Sequence, residues 1–209
     1  AWFESVSGYT TTGASILSDV EALPKGMLFW RSSTHWIGGI GIILFVMLVL
    51  PQSQNKKMNI YNTEISSLSK LNFRYRSFEI VRILTFVYVV LTFSETIILY
   101  FLGMDFFDAI NHSFATIATG GFSTKNASIA YFNNLGIEIT IIVFMILSGL
   151  HFGLLFGTMV GKKQNIFTSK VVRAFILVMV TGTLLVSLKL YSDNFYNWWT
   201  SVRYASFQV

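Results

Sequence analysis

Long runs with almost no charge alternate along this chain with short polar, glycine-rich or basic segments. The runs 27–50, 80–103, 135–161 and 171–191 hold few ionisable residues. At about 1.5 Å per residue, each is long enough as a helix to cross about 30 Å of hydrocarbon. A core helix of a soluble protein rarely exceeds about 20 residues without a polar face, so the pattern predicts four membrane spans. Three further apolar stretches, 1–9, 107–118 and 196–209, are too short to cross and all fall on one side. They predict re-entrant half-helices.

The order that results is a repeat of span, half-helix, loop and span. It divides the chain into a first pore unit at 1–50 without its opening span, a connection at 51–79, a second unit at 80–161, and the start of a third at 162–209. The chain begins on Ala1 with no initiator methionine and ends within a hydrophobic run, which reads as a piece of a longer protein.

Composition agrees with the membrane reading. Apolar residues make up 53% of the chain and charged residues 12%, against about 25% charged in an ordinary soluble domain. The net charge of +5 does not point to nucleic acid, because the cations are grouped by topology. Lys56, Lys57, Lys70, Arg74, Arg76 and Arg82 form one cluster, and Lys162, Lys163, Lys170 and Arg173 another. Both fall in connections that the positive-inside rule assigns to the cytoplasm. Asp19, Glu21, Asp105, Asp108 and Asp193 fall on the opposite, external side. With no cysteine, disulfides and thiolate metal sites are excluded.

The candidate chemistry lies in two Thr/Gly loops. Thr10-Thr11-Thr12-Gly13-Ala14-Ser15 aligns without a gap on Ala118-Thr119-Gly120-Gly121-Phe122-Ser123, pairing Thr11 with Thr119, Gly13 with Gly121, Ser15 with Ser123 and, upstream, Ser5 with Ser113. A third copy starts at 201–207, which is similar to 111–117. A cation entering the membrane must exchange its water shell for other oxygens, and backbone carbonyls supply them without fixed charge. Turning successive carbonyls one way needs unusual dihedrals, which glycine adopts at least cost. A preceding half-helix also aims its negative C-terminal end at the ion. The alternative is that both loops are ordinary polar turns.

The stretch Ser7-Gly8-Tyr9-Thr10-Thr11-Thr12-Gly13-Ala14, with Leu23-Pro24-Lys25-Gly26 and Trp36-Ile37-Gly38-Gly39-Ile40-Gly41, resembles the first pore unit of the TrkH-like membrane subunits of the Trk/Ktr potassium transporter family. The stretch Phe107-Asp108-Ala109-Ile110-Asn111-His112-Ser113-Phe114, leading to Ala118-Thr119-Gly120-Gly121-Phe122-Ser123-Thr124, resembles the second. The resemblance implies an all-α integral membrane fold of four units around a pseudo-fourfold pore, each giving one filter loop. It implies Thr11, Thr12, Gly13, Thr119, Gly120 and Gly121 as potassium-binding filter residues, with Gly13 and Gly121 favouring potassium over sodium. It further implies a homodimer in the lipid of the bacterial cytoplasmic membrane, seated on TrkA-like nucleotide-binding regulatory subunits. Potassium is then cargo, and no cofactor and no other metal are called for. The third and fourth filters and the family's gating segment lie outside this sequence.

Other residues have mostly structural readings. Glu95 is expected to be hydrogen-bonded behind the filter and Glu138 to lie near the outer surface, each with a part in the ion path as the alternative. Arg31 can snorkel outward or pair with an acid beside the first loop. His35 and His151 are lone histidines on apolar helices, without a second metal ligand at helical spacing. Gly149, Gly153, Gly157 and Gly161, like Gly38, Gly39 and Gly41, read as close-packing positions, with a hinge as the alternative. Trp2, Trp30, Trp198 and Trp199 fall near predicted outer boundaries. Nothing resembles an enzyme's catalytic constellation. The expected function is channel-like potassium uptake, with proton- or sodium-coupled symport and a non-conducting scaffold subunit as alternatives.

Overall fold

The computed structural model describes residues 1–49, 77–150, 152–159, 166, 169–193 and 196–209. Among them there are helices and loops and no strand. In chain order the helices are α1 (Trp2–Tyr9), α2 (Lys25–Val49), α3 (Ser77–Phe101), α4 (Phe106–Ile117), α5 (Leu135–Ser148), α6 (Phe152–Met159), α7 (Lys170–Ser192) and α8 (Trp198–Gln208), with a 3-10 turn at Ser128–Phe132. The half-helices α1, α4 and α8 thus form within two residues of the predicted 1–9, 107–118 and 196–209.

The spans predicted at 27–50, 80–103 and 171–191 appear as α2, α3 and α7. By length and composition Val81–Phe101 and Lys170–Ser192 can cross a membrane. A soluble core helix passes that test only by being buried. Here just 33% of the first window and 11% of the second are covered by protein, and large apolar side chains such as Phe93, Ile97, Leu177, Val178 and Leu185 face outward. Such a surface suits hydrocarbon and is costly in water. This agrees with the membrane reading of the sequence.

The span predicted at 135–161 is broken, and this corrects the reading of four uninterrupted spans. Helix α5 stops at Ser148, Gly149 is its C-cap, and α6 starts at Phe152. Hydropathy does not register the break because both pieces are apolar. At the break the Ser148 hydroxyl bonds back to the Met145 carbonyl at 2.9 Å and also reaches out of the helix to the Thr116 carbonyl at 3.4 Å. Back-bonding serines bend helices, and the following glycine is a poor helix former. His151, Gly161 and the basic residues Lys56, Lys57, Lys70, Arg74, Arg76, Lys162 and Lys163 lie outside the described residues.

Helix α4 is the centre of the packing. It lies against α3, α2 and α5, while α1 rests on α2, and α8 rests on α7 and α5. One arrangement recurs: the helix after a loop also supports the next half-helix, α2 supporting α4 and α5 supporting α8. Asp105 caps α4, its side chain accepting from Phe107 N at 3.2 Å, and Asn134 caps α5 through Gly136 N at 2.8 Å. One apolar cluster, with Leu99, Met104, Ala109, Ile137 and Ile141, packs around the start of α4. A second, with Val87, Tyr88, Ile117, Phe144 and Val172, packs around its end.

Helix α2 reaches the base of both loops because two adjacent positions lack side chains. A Cβ on Gly38 would overlap the Tyr9 backbone carbonyl, and one on Gly39 would press on Ala118 and the Tyr88 hydroxyl. The packing role read from these two glycines is what the structure contains. Trp36, between α2 and α3, donates its indole N–H to Thr92 at 3.1 Å, while the Tyr88 hydroxyl donates to the Trp36 carbonyl at 3.0 Å.

Candidate functional site

The C-termini of α1 and α4 end in the same backbone motif. After α1, the N–H groups of Thr10, Thr11 and Thr12 donate to the carbonyls of Val6, Gly8 and Ser7 at 2.9, 3.0 and 3.0 Å. After α4, those of Ala118, Thr119 and Gly120 donate to Phe114, Thr116 and Ala115 at 3.3, 2.9 and 2.8 Å. Every donor and acceptor keeps the register that pairs Gly13 with Gly121. The crossed pair of bonds is a Schellman cap, which turns the chain sharply at a left-handed residue.

That residue is a threonine both times: Thr11 has φ 53° and Thr119 has φ 54°. A β-branched side chain at positive φ is a genuine outlier, and the strain costs about 1–3 kcal/mol at each site. Two residues later Gly13 and Gly121 are again left-handed, with φ 75° and 88°. The unusual dihedrals expected at the glycines are present at the threonines as well.

These caps claim the carbonyls of Val6, Ser7 and Gly8 in α1 and of Phe114, Ala115 and Thr116 in α4, and leave the loop carbonyls beyond. Among the described residues, no hydrogen-bond donor meets the carbonyl oxygens of Thr11, Thr12, Gly13, Thr119, Gly120 or Gly121. Backbone carbonyls at membrane depth are ordinarily paired. Six carbonyl oxygens in two matched loops are thus without a donor among the described residues. The loops also touch: a Cβ on Gly13 would run into the Gly120 carbonyl, while a Cβ on Gly121 would meet nothing among the described residues. On the far side of the second loop a cavity of about 700 Å³ is lined by Thr116, Thr119, Gly120 and Gly121, by Met145 of α5 and by Met179 of α7.

Behind each loop a side chain from the half-helix grips a serine. Ser15 donates its hydroxyl to Glu4 Oε1 at 2.7 Å and accepts from Leu17 N at 3.2 Å. Ser123 stands 3.0 Å from His112 Nε2 and accepts from Lys125 N at 3.0 Å. Because His112 Nδ1 lies 2.7 Å from the Asp108 carbonyl, the proton belongs on Nδ1 and Nε2 accepts from Ser123. Glu4 and His112 are thus equivalent positions with different chemistry. The serines are identical residues and so visible in the sequence, whereas Glu4 and His112 are unlike and are not.

Glu4 Oε1 also accepts from Ile16 N at 2.8 Å, and its Oε2 pairs with Arg31 Nε at 3.1 Å. Burial pushes the Glu4 carboxyl up, but the Ser15 hydroxyl, the Ile16 N–H and the Arg31 guanidinium outweigh it and leave its pKa below the usual value. Arg31 is buried rather than snorkelling outward, and its acid is Glu4. It continues to Ser15 Oγ at 3.3 Å and to the Ser123 carbonyl at 3.4 Å, and its guanidinium lies 4.1 Å from the centroid of the Phe122 ring. His35 stacks on Phe122 with ring centroids 3.9 Å apart, and a Cβ on Gly120 would strike its imidazole. His35 is thus packed behind the second loop, and its ring nitrogens make no hydrogen bond among the described residues.

Farther out, Asn126 ties the two units together. Its side chain accepts from Val20 N at 2.7 Å and donates to Asp19 at 2.8 Å, and its N–H donates to Glu21 at 3.0 Å. The Asn126 amide draws the Asp19 carboxyl below its ordinary pKa. Asp108 accepts from Thr124 at 2.8 Å and faces Lys125 at 3.5 Å. Glu138, near the start of α5, pairs with Arg203 of α8, the guanidinium Nε donating at 2.6 Å. Glu95 differs from its expectation. It is fully buried beside α4, yet neither carboxyl oxygen makes a hydrogen bond of ordinary geometry among the described residues, and Thr116 is the polar group acting on it.

Residues 1–208 match the family described as TrkH, cation transport protein. The chain is 41% identical over 199 residues to the Trk system potassium uptake protein TrkH of Escherichia coli K12, covering 94% of this chain and 41% of that protein. It is 40% identical over 212 residues to the Salmonella typhimurium protein of the same name, covering 100% of this chain and 44% of the relative. The crystal structure of the potassium transporter TrkH from Vibrio parahaemolyticus superimposes with a TM-score of 0.83 at 33% identity, over 99% of this chain and 42% of that one. The chain spans about two fifths of the length of these relatives.

Proposed function

This chain belongs to the TrkH family of cation transport proteins, and from that premise we propose that its two Thr/Gly loops form half of a potassium filter. The ion sheds water at the external mouth and rests among the carbonyls of Thr11, Thr12 and Gly13 and of Thr119, Gly120 and Gly121. It then moves down its electrochemical gradient. The observation that carries this reading is the matched pair of strained loops with six unclaimed carbonyls. Strain at a β-branched residue persists where surroundings impose it, and such outliers gather at functional sites. An ordinary polar turn would have no reason to repeat it. The named relatives are transporters, which supports transport over catalysis.

In this reading residues 1–50, 80–161 and 162–209 belong to three successive pore units of a multi-pass protein in the bacterial cytoplasmic membrane. That protein is a homodimer on TrkA-like regulatory subunits, and it needs no cofactor. The test is growth at low potassium of a transport-deficient bacterium carrying the protein at its full natural length, wild type beside Gly121→Ser. Rescue by wild type that the substitution weakens, or makes sodium-permeable, supports the filter. Equal rescue by both reduces the loop to a turn.

A further inference from the structure

We infer that Arg31 is a positioning residue for ion selection, holding both loops in one register through a single guanidinium. This rests on the reading that the loops bind the ion. Each nitrogen of Arg31 serves a different segment: Nε bonds Glu4 of α1, Nη2 the Ser15 hydroxyl just past the first loop, and Nη1 the Ser123 carbonyl just past the second. The face of the group lies against Phe122, between Gly121 and Ser123. Only 9% of the side chain is exposed. A planar, preorganised fork can satisfy three directions at once, which the point charge of lysine cannot.

The two loops do not share this support equally. The first has its own acid, Glu4, which holds Ser15 and Ile16 as well as the arginine. The second is followed by α5, which contains no lysine or arginine between Leu135 and Ser148. Its guanidinium contact therefore comes from the neighbouring unit. Glu4 neutralises the charge, so Arg31 neither binds nor simply repels the cation. Its effect is geometric, and a carbonyl cage discriminates ions by the number and placement of its oxygens.

Potassium and sodium uptake are measured side by side in a bacterium lacking its own potassium uptake. The protein is expressed at full natural length and its membrane abundance is quantified. Arg31→Gln is expected to lower the potassium-to-sodium uptake ratio about tenfold. Glu4→Gln should lower it about threefold, because Arg31 keeps Ser123 and Phe122, and Arg31→Lys should fall between. The ratio is independent of abundance. Lower abundance with a wild-type ratio makes Arg31 a fold anchor and overturns the inference. Should Arg31→Gln not reach the membrane, Arg31→Lys decides, a loss of about twofold or more supporting the role and an unchanged ratio overturning it. Gly121→Ser separates the two levels. A shift there with none in any Arg31 variant keeps the filter and removes Arg31 from it, whereas no shift with Gly121→Ser removes the filter reading and this role together.

Discussion

At the end of α1 a serine is held by a carboxylate paired to a guanidinium; at the end of α4 the matching serine is held by an imidazole. The backbones they hold share the same three cap hydrogen bonds and a left-handed threonine in each. The comparison separates what the loops must be from how they are kept so. Backbone shape is repeated closely while the side chains enforcing it differ, as expected if the carbonyls do the work and the side chains are scaffolding.

The sharpest way to break the equivalence is to add one methyl group to each glycine. Gly13→Ala places its Cβ in the Gly120 carbonyl, a backbone atom that cannot move aside. The expected loss is about 3 kcal/mol or more, read as folded protein recovered from membranes. Gly121→Ala meets only the positive-φ penalty, about 1–2 kcal/mol, and should leave most of the protein folded. Equal losses would mean that the loops do not lie as described.

A milder test relieves the strain. Thr11→Gly and Thr119→Gly each remove a side chain from a left-handed position. Each should stabilise the purified protein by roughly 0.5–1 kcal/mol after the entropic cost of glycine, with thermal unfolding as the readout. Matching gains sharpen the comparison, and a gain at one site alone breaks it.

The smallest effect is electrostatic. The folded Glu4 pKa lies below its usual value of 4.5. Its contribution is therefore complete above that pH and is lost as pH falls through the lower, folded value. Glu4→Gln should flatten the melting-temperature profile below about pH 4.5, by about 2 °C at most. Wild type and variant with parallel profiles would remove the carboxylate from the clamp.

Much of this architecture was legible because membrane insertion writes itself into hydropathy and length. The half-helices and the register joining Gly13 to Gly121 could be read from the residues alone. The break at Ser148 was open only as the hinge alternative at Gly149, since both flanking pieces are apolar and hydropathy does not register it. The exchange of Glu4 for His112 could not be read, because matching by identity cannot see two unlike groups accepting the same hydroxyl. Glu95 shows a third limit: a sequence indicates that a buried acid needs a partner but not which group acts on it, here Thr116.

The reach of Arg31 and Asn126 has a consequence for biogenesis. Arg31, beside the first loop, finds its last partner in Ser123, 92 residues further on, and Val20 finds its own in Asn126, 106 residues further on. A nascent chain inserted from its N-terminus therefore carries a first loop without its final supports until the second has left the ribosome. The two mature together, as late non-local contacts closing over helices already formed.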